Sequence, residues 1–257
     1  MRLAIQPAFE VDPLIIISAG MQKAASASHF NLINKMLVAA GNEDVHVLRQ
    51  RFGFGFFMSR VNCNVGPLRL YKLAWLSLPH WLGRMYVVKT HERPGPWARH
   101  WSRMGAAKAT YIFRDPREVA VSLFAHGESL RRQKRDTRTK FDQLNTLEEA
   151  IRFTAGLLPI WREWTSFDDV LICRFEDFTA DILREAARLN EYFRLGLGPD
   201  TLREIAARID PRFADPLDSR LLHTRTEKRR PWPSVLSASQ QAMCLDLFGP
   251  YLEAMGY

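Results

Sequence analysis

Residues 14–28 read LIIISAGMQKAASAS, an apolar run followed directly by small residues and one lysine. The run Leu14–Ser18 is apolar at almost every position, which is typical of a strand covered on both faces of a sheet. A helical pattern follows over Ala25–Ala40 and ends at Gly41. A strand, a tight loop and a helix in this order form the building unit of α/β folds.

The rest of the chain repeats this alternation of short apolar runs and amphipathic helical patterns. The predicted fold class is therefore α/β, with residues 1–257 forming a single domain around a central, mainly parallel β-sheet flanked by helices. One helical pattern, Leu147–Trp164, contains Pro159 and is expected to kink there. The other predicted strands are Met85–Lys89, Ala109–Phe113 and Val170–Arg174, and the other predicted helices begin at Asp115-Pro116 or span Ile182–Phe193 and Ser237–Met255.

The chain has 257 residues and a formal net charge of +8 at pH 7. Such a basic excess suits nucleic acid, an anionic membrane surface or a small polyanionic ligand. Outside 131–140 and 225–230 the basic residues are dispersed, and no nucleic-acid-binding module is recognisable, so we expect no nucleic acid partner. Apolar runs such as Leu14–Ile17 are far shorter than the ~20 residues of a membrane-spanning helix, so we expect no transmembrane segment.

The cysteines Cys63, Cys173 and Cys244 are too few and too scattered for a disulfide framework or a zinc site. We interpret them as reduced thiols. This interpretation predicts a cytoplasmic protein without a bound metal.

The loop after the first strand has the composition of a phosphate-binding site. Small residues let the backbone approach a ligand closely, and the helix start offers free N–H groups and the positive end of the helix dipole. Lys23 adds a cation, and Ser26 and Ser28 add hydroxyl donors. The nucleotide-binding pattern GxxxxGK[ST] is not matched, because Lys23 precedes the small residues. A plain strand-to-helix turn with a surface lysine explains the same residues equally well.

A second candidate site lies over 111–122, YIFRDPREVAVS. Arg114 closes a predicted strand, and Ser122 lies about two turns into the helix that Pro116 begins. The guanidinium of Arg114 can form a forked contact with a phosphate, to which Ser122 can add a hydroxyl. A capped helix with an exposed arginine is the alternative, and on these residues alone it is the simpler explanation.

Together and in this order, the two sites resemble those of the sulfotransferases that use 3′-phosphoadenosine 5′-phosphosulfate (PAPS). Residues 22–28 resemble their 5′-phosphosulfate loop, written PKSGTTW or KAGTT, and residues 114–122 resemble their 3′-phosphate motif, close to RNPKDVAVSYY. Three further segments match in register: VKTH at 88–91, RFEDF at 174–178 and RTEKRRPW at 225–232. Because five motifs agree along nearly the whole chain, the chain is similar to this family as a whole.

The resemblance implies the sulfotransferase form of the P-loop NTPase-like fold. It also implies PAPS as donor, 3′-phosphoadenosine 5′-phosphate (PAP) as product, a hydroxyl or amine acceptor, and no metal. Lys23 would stabilise charge on the leaving phosphate, and His91 would take the acceptor's proton, with Glu92 as the alternative base. The residues expected to bind the donor are Gln22, Lys23, Ala24, Ala25, Ser26, Ala27, Ser28, Arg114, Ser122, Arg225, Arg229 and Arg230.

Several residues depart from the family pattern. Gln22 replaces proline, Ala25 replaces glycine, and Ala27 removes a hydroxyl that would face the donor. Phe175 replaces tyrosine, and Glu227 stands where the basic loop has glycine. These changes leave open a family member that binds the donor without reacting. A nucleotide-dependent kinase of similar architecture is a further alternative, but it requires a Gly-Lys-Ser/Thr loop that the chain lacks.

The acceptor end of the site is the least determined part. Segments 46–84 and 127–146 do not follow the alternation of strands and helices, and we expect them to form an acceptor pocket and a lid. Aromatic residues there suit an apolar acceptor, either a small molecule or one bound to a carrier, although core packing is the simpler explanation. These aromatic residues are Phe52, Phe54, Phe56, Phe57, Trp75 and Trp81, with Trp97 beyond them. The sequence does not predict an oligomeric state.

Overall fold

Four parallel strands form one sheet in the order β2-β1-β3-β4. The structure is a computed structural model that describes residues 15–132, 141, 143–167, 169–209 and 231–257. All four predicted strands are confirmed, although β1 continues beyond its predicted end. The predicted α/β class with a parallel sheet is therefore correct. The strands are β1 (Ile15–Gly20), β2 (Tyr86–Thr90), β3 (Ala107–Phe113) and β4 (Val170–Arg174).

The helices follow the chain around this sheet. They are α1 (Ser26–Ala39), α2 (Val45–Arg51), α3 (Leu70–Trp81), α4 (Gly95–Arg103), α5 (Pro116–Arg132), α6 (Leu147–Ala155), α7 (Leu158–Thr165), α8 (Phe175–Ala180), α9 (Ile182–Phe193), α10 (Pro199–Ile209) and α11 (Ala238–Met255).

The core surrounds β1, β2 and β3, which are buried at nearly every position. Side chains alternate between the two faces of a strand, so complete burial means that both faces are covered. Helix α1 packs on β1 and β2 and also contacts α9 and α10, whereas α7 packs on β3 and β4.

The pattern over Leu147–Trp164 forms two helices, so the expectation of one kinked helix is wrong. Helix α6 ends at Ala155, and α7 begins at Leu158 with Pro159 in its first turn. Proline lacks an N–H, and its ring clashes with the carbonyl four residues earlier. Both defects are harmless in a first turn, so the proline begins a new helix.

Segment 46–84 is more regular than its sequence predicts. It contains most of α2, a 3₁₀ turn over Phe54–Phe56 and the whole of α3. Of segment 127–146, residues 133–140 and 142 lie outside the described residues, so its role as a lid stays a prediction.

Candidate functional site

The carboxyl ends of the strands bring the sequence motifs together at one edge of the sheet. The register pairs Ala19 with Thr90 and Gly20 with Ile112. A Cβ on Gly20 would lie 2.7 Å from the Ile112 side chain, so only glycine allows β1 and β3 to stay this close at the start of the loop. The close approach brings the loop after β1 next to the segments that follow β2 and β3.

The loop over residues 21–25 has an unusual backbone. Lys23 and Ala25 both adopt the left-handed conformation, with φ of 64° and 56°. Left-handed residues in a turn that leads into a helix are a feature of backbone concavities that bind anions. The Ala25 side chain cannot cap the first turn of α1, and that turn begins with N–H groups that have no intrahelical partner.

Two buried polar atoms of this loop region also lack partners. Gln22 Oε1 and Ser28 Oγ are buried and make no hydrogen bond to any described residue. Buried polar atoms are nearly always hydrogen-bonded, so an unpaired pair beside uncapped amides calls for a missing ligand. The Gln22 amide oxygen only accepts hydrogen bonds and therefore does not favour an anion, whereas the Ser28 hydroxyl can donate. A phosphate or sulfate group fits this hydroxyl and the N–H donors, and Lys23 lies in the same loop.

His91, directly after β2, is attached to the start of this loop. Its Nδ1 lies 2.7 Å from the carbonyl oxygen of Gly20. A carbonyl only accepts, so Nδ1 carries the proton and Nε2 keeps a free lone pair. Burial, reinforced by the positive charge of Lys89, lowers the pKa of His91 to about 3. The ring is therefore neutral at neutral pH and has one nitrogen available to accept a proton.

Lys89 was not predicted as a site residue, although it belongs to the VKTH segment. It is buried in β2, opposite Ser18 of β1, and burial lowers its pKa to about 7. A lysine that is half-protonated near neutral pH gains charge readily when an anion binds nearby. A charged residue type inside an otherwise apolar strand is the sequence signal that could have identified it.

Glu92, the alternative base, is exposed. Its backbone N–H donates to Thr90 Oγ1 at 3.1 Å, and its carbonyl accepts from Trp164 Nε1 at 2.9 Å. The backbone is thus fixed while the carboxylate faces solvent. Between the two, His91 has the orientation that a positioned base needs.

The second predicted phosphate site lies at the end of β3. Arg114 is buried, with an ion pair to Glu118 at 3.1 Å. The guanidinium carbon also lies 4.2 Å from the centre of the Phe175 ring. Phe175, which departs from the family's tyrosine, thus orients Arg114 by cation–π stacking. Ser122 is buried two turns into α5, on the helix that follows Arg114.

Helix α5 also holds the segment that follows the basic C-terminal loop. Glu118 accepts a hydrogen bond from the backbone N–H of Trp232 at 3.0 Å, and Arg117 stacks on the Trp232 ring at 4.3 Å. Arg117 is fixed in turn by Asp115, at 2.8 Å. The predicted donor-binding residues Arg225, Arg229 and Arg230 lie outside the described residues.

A buried cluster behind the sheet contains potential metal ligands. His29, Cys173 and Glu185 have donor atoms within 4.8 Å of one another. The Cys173 thiol donates to Glu185 at 2.6 Å, and the other Glu185 oxygen pairs with Arg188 at 2.7 Å. Burial and the Glu185 charge raise the pKa of Cys173 well above its usual value, which favours the thiol over a metal-binding thiolate. The cluster is therefore better described as a hydrogen-bonded network.

The aromatic residues predicted for an acceptor pocket are divided between core and surface. Phe54 is fully buried in the core, as expected if it packs there and does not line a pocket. Phe56, Trp75, Trp81 and Trp97 are exposed.

A sequence model of the sulfotransferase domain matches residues 85–211 of the chain. The match includes the VKTH segment, the motif at 114–122 and the RFEDF segment, all of which the structure gathers at the same edge of the sheet. Residues 85–211, just under half of the chain, thus match the sulfotransferase domain. The loop at 22–28 precedes the matched residues, so this match does not depend on it.

Solved structures share the fold of this chain at low sequence identity. Retinol dehydratase in complex with androsterone and the inactive cofactor PAP is 17% identical, with a TM-score of 0.56, over 94% of this chain and 82% of that chain. Mouse sulfotransferase SULT7A1 complexed with PAP is 13% identical, with a TM-score of 0.60, over 94% of this chain and 85% of that chain. A search of curated proteins gave no match. Among the described helices of the chain, none combines the length and apolar character needed to cross a membrane.

Proposed function

We propose that this chain is a sulfotransferase that transfers a sulfuryl group from PAPS to a hydroxyl or amine of an apolar acceptor. The observation that carries the proposal is the contact between His91 Nδ1 and the Gly20 carbonyl at 2.7 Å. Through this contact, the neutral imidazole of His91 is attached to the loop after β1, whose backbone and donors suit an anion. Its Nε2 is available to accept a proton. A proton acceptor and a binding site for a negatively charged donor are thereby adjacent.

The residues of the loop fit the phosphosulfate end of PAPS. Ser28 Oγ is buried without a partner among the described residues and can donate, and the uncapped amides of α1 add further donors. Arg114, which follows β3, would bind the 3′-phosphate together with Ser122. The loop and Arg114 follow adjacent strands, which suits a ligand with two separated phosphate ends. Neighbours in structure that carry PAP support this choice of ligand.

When bound, PAPS supplies the sulfuryl group and a phosphate leaving group. Lys23 and the first amides of α1 would stabilise the charge that develops on that phosphate. His91 Nε2 would accept the proton of the acceptor hydroxyl, with Nδ1 held by Gly20. Arg225, Arg229 and Arg230 would contact the 3′-phosphate from the C-terminal side.

The alternatives are weaker. A kinase needs a Gly-Lys-Ser/Thr loop, which the chain lacks. The inactive alternative rests on Ala25 and Ala27, but Ala25 adopts the left-handed backbone that its glycine counterpart would favour. The loop therefore keeps its backbone conformation although alanine replaces glycine at position 25. Androsterone and retinol, bound in retinol dehydratase, support an apolar acceptor here.

Calorimetric titration with PAP tests donor binding directly. We expect saturable binding that weakens at least tenfold in Lys23→Ala and in Arg114→Ala, because each loses a charge-assisted contact worth about 1.5–3 kcal/mol. Lys35→Ala is the matched control, since Lys35 lies on α1 beyond the loop. Its affinity for PAP should stay within about twofold of the wild-type value.

Two outcomes would overturn the proposal. One is folded wild-type protein that does not bind PAP at millimolar concentration. The other is equal weakening in Lys23→Ala and Lys35→Ala, which would indicate a general charge effect in place of a phosphate-binding loop.

A further inference from the structure

One long segment of the chain carries basic residues and no acidic ones. Residues 45–91 contain seven basic residues and no Asp or Glu, while the whole chain has a net charge of +8. Lys72 and Lys89 are buried, so the exposed charge of the segment comes from arginines. Arg60, Arg69 and Arg84 are exposed, and among the described residues none of them is in an ion pair.

The same segment exposes an apolar helix face. Along α3 and just beyond it, Trp75 is 45%, Trp81 is 74% and Leu82 is 66% exposed. Leu70 and Tyr71 continue this face to the start of the helix, with no charged side chain between them on the exposed positions. A single exposed apolar residue is ordinary, but a contiguous face over three turns marks an interaction surface.

The opposite face of α3 is fixed to the sheet, so the apolar face is not free to turn inward. Leu73 and Leu76 are buried in the core, and the Tyr86 hydroxyl of β2 donates to the Leu76 carbonyl. Lys72 Nζ donates to the Val65 carbonyl at 2.6 Å. These contacts hold the helix with its apolar face directed at solvent.

Basic residues flank this face. Arg69 precedes its first residue, and Arg84 follows Leu82 within two residues. Phe56, 65% exposed, extends the face sideways through an edge contact with Trp75 at 5.9 Å. Tryptophan and tyrosine between apolar residues, with arginines around them, are typical of helices that lie in the interface of a bilayer.

We propose that this chain docks on anionic lipid bilayers through the exposed face of α3. The aromatic and leucine side chains would enter the boundary between headgroups and acyl chains, while Arg69 and Arg84 would contact lipid phosphates. The absence of acidic side chains over 45–91 removes the repulsion that such a surface would otherwise meet. The proposal does not depend on sulfuryl transfer.

Docking in this orientation would leave the candidate site, at the carboxyl ends of the strands, close to the membrane. The chain just before α3 is attached to the carboxyl end of β2, since Thr90 Oγ1 donates to the Gly66 carbonyl at 2.9 Å. His91 follows Thr90 directly. The first turn of α3 and the candidate site therefore lie on the same side of the molecule.

Vesicle co-sedimentation of the full chain tests the proposal. We expect binding to vesicles of phosphatidylcholine with about a third phosphatidylglycerol, weaker binding to phosphatidylcholine alone, and release as salt is raised. Trp75→Ser/Trp81→Ser should weaken binding at least tenfold, and Arg69→Gln/Arg84→Gln should weaken it on anionic vesicles only. Leu245→Ser and Arg208→Gln are matched controls, because both residues are exposed on other helices.

Three results would overturn the proposal, provided that circular dichroism shows each protein to be folded. The first is wild-type protein that stays in solution with anionic vesicles. The second is a control variant that weakens binding as much as the α3 variants do. The third is a wild-type dimer in light scattering that Trp75→Ser/Trp81→Ser converts to a monomer without any vesicle binding, which would assign the face to a second copy of the chain.

Discussion

The two ring nitrogens of His91 are in different environments, and the difference predicts how activity depends on pH. Nδ1 donates to Gly20, and burial lowers the pKa of the ring to about 3 in the free protein. We therefore expect no loss of kcat/KM near pH 6.5, where an ordinary histidine would titrate. An anionic donor nearby raises the pKa, so the acidic limb of kcat should lie at higher pH than that of kcat/KM. Steady-state rates between pH 4.5 and 8 test whether kcat/KM lacks a limb near pH 6.5 and whether the limb of kcat is shifted upward into this range.

Substitutions of His91 and of Glu92 test which of the two residues is the base. His91→Asn keeps a donor for the Gly20 carbonyl but removes the lone pair, so turnover should fall about 100-fold or more while PAP affinity stays within about threefold. Glu92→Gln is the control and should leave turnover nearly unchanged, because its carboxylate faces solvent. Near-normal turnover in His91→Asn, or a large loss in Glu92→Gln, would move the base elsewhere.

Single residues also show where prediction from the sequence ends. The position of Lys23 and Arg114 after strands was predictable, because the strands are strongly apolar and the motifs follow them directly. The role of Phe175 was not predictable from the sequence, since the replacement of the family's tyrosine indicates only a lost hydroxyl. Its stacking on Arg114 depends on β3 and β4 being neighbours, which the chain order does not specify. Lys89 was missed for a similar reason, because its pKa depends on burial between strands.

At the scale of elements, the buried network joins α1, β4 and α9. Glu185 accepts from the Cys173 thiol and pairs with Arg188, and Cys173 lies 3.4 Å from His29 Nε2. Glu185→Ala should lower the free energy of unfolding by about 3 kcal/mol, because it leaves buried donors without an acceptor. Urea unfolding followed by circular dichroism measures this loss. Glu191→Ala, exposed on the same helix, should change it by less than about 0.5 kcal/mol.

The same network provides a test of the predicted absence of a metal. A hydrogen-bonded cluster predicts that equimolar Zn²⁺ leaves the melting temperature of the wild-type protein unchanged, and that a chelator does not lower it. A rise with Zn²⁺ that Glu185→Ala abolishes would identify a metal centre instead. Full stability in Glu185→Ala would show that the network contributes nothing.

Elements with a regular hydrophobic periodicity were predictable from the sequence, and elements that are apolar on both faces were not. β4 and α9 begin and end where the sequence places them. Helix α3 has apolar residues on its buried and exposed sides alike, so no amphipathic stripe marks it. The break between α6 and α7 follows from Pro159, but the pattern alone does not distinguish a kink from a new helix.

For the whole molecule, charge and burial are distributed in a way that composition does not reveal. The net charge of +8 allows several partners, whereas the acid-free stretch over 45–91 places the exposed Arg69 and Arg84 at the two ends of the α3 face. The apolar residues of that stretch were expected to face a pocket or the core, yet several face solvent. Which of these residues face solvent becomes known only from the structure, because packing on the sheet determines which side of α3 is buried.

Buried neutral histidines should make the folded chain unusually sensitive to acid. Burial lowers the pKa of His29 to about 3, so below pH 6.5 the unfolded state takes up a proton that the folded state excludes. Stability is then full above pH 6.5 and falls as the pH drops toward 3, at about 1.4 kcal/mol per pH unit for this one group. Urea unfolding at pH 7.5 and 5.5 should therefore differ by at least about 1.4 kcal/mol. His29→Gln should reduce the difference, and His100→Gln, at an exposed position, should not. Equal stability of the wild-type protein at the two pH values would contradict the burial of a neutral His29.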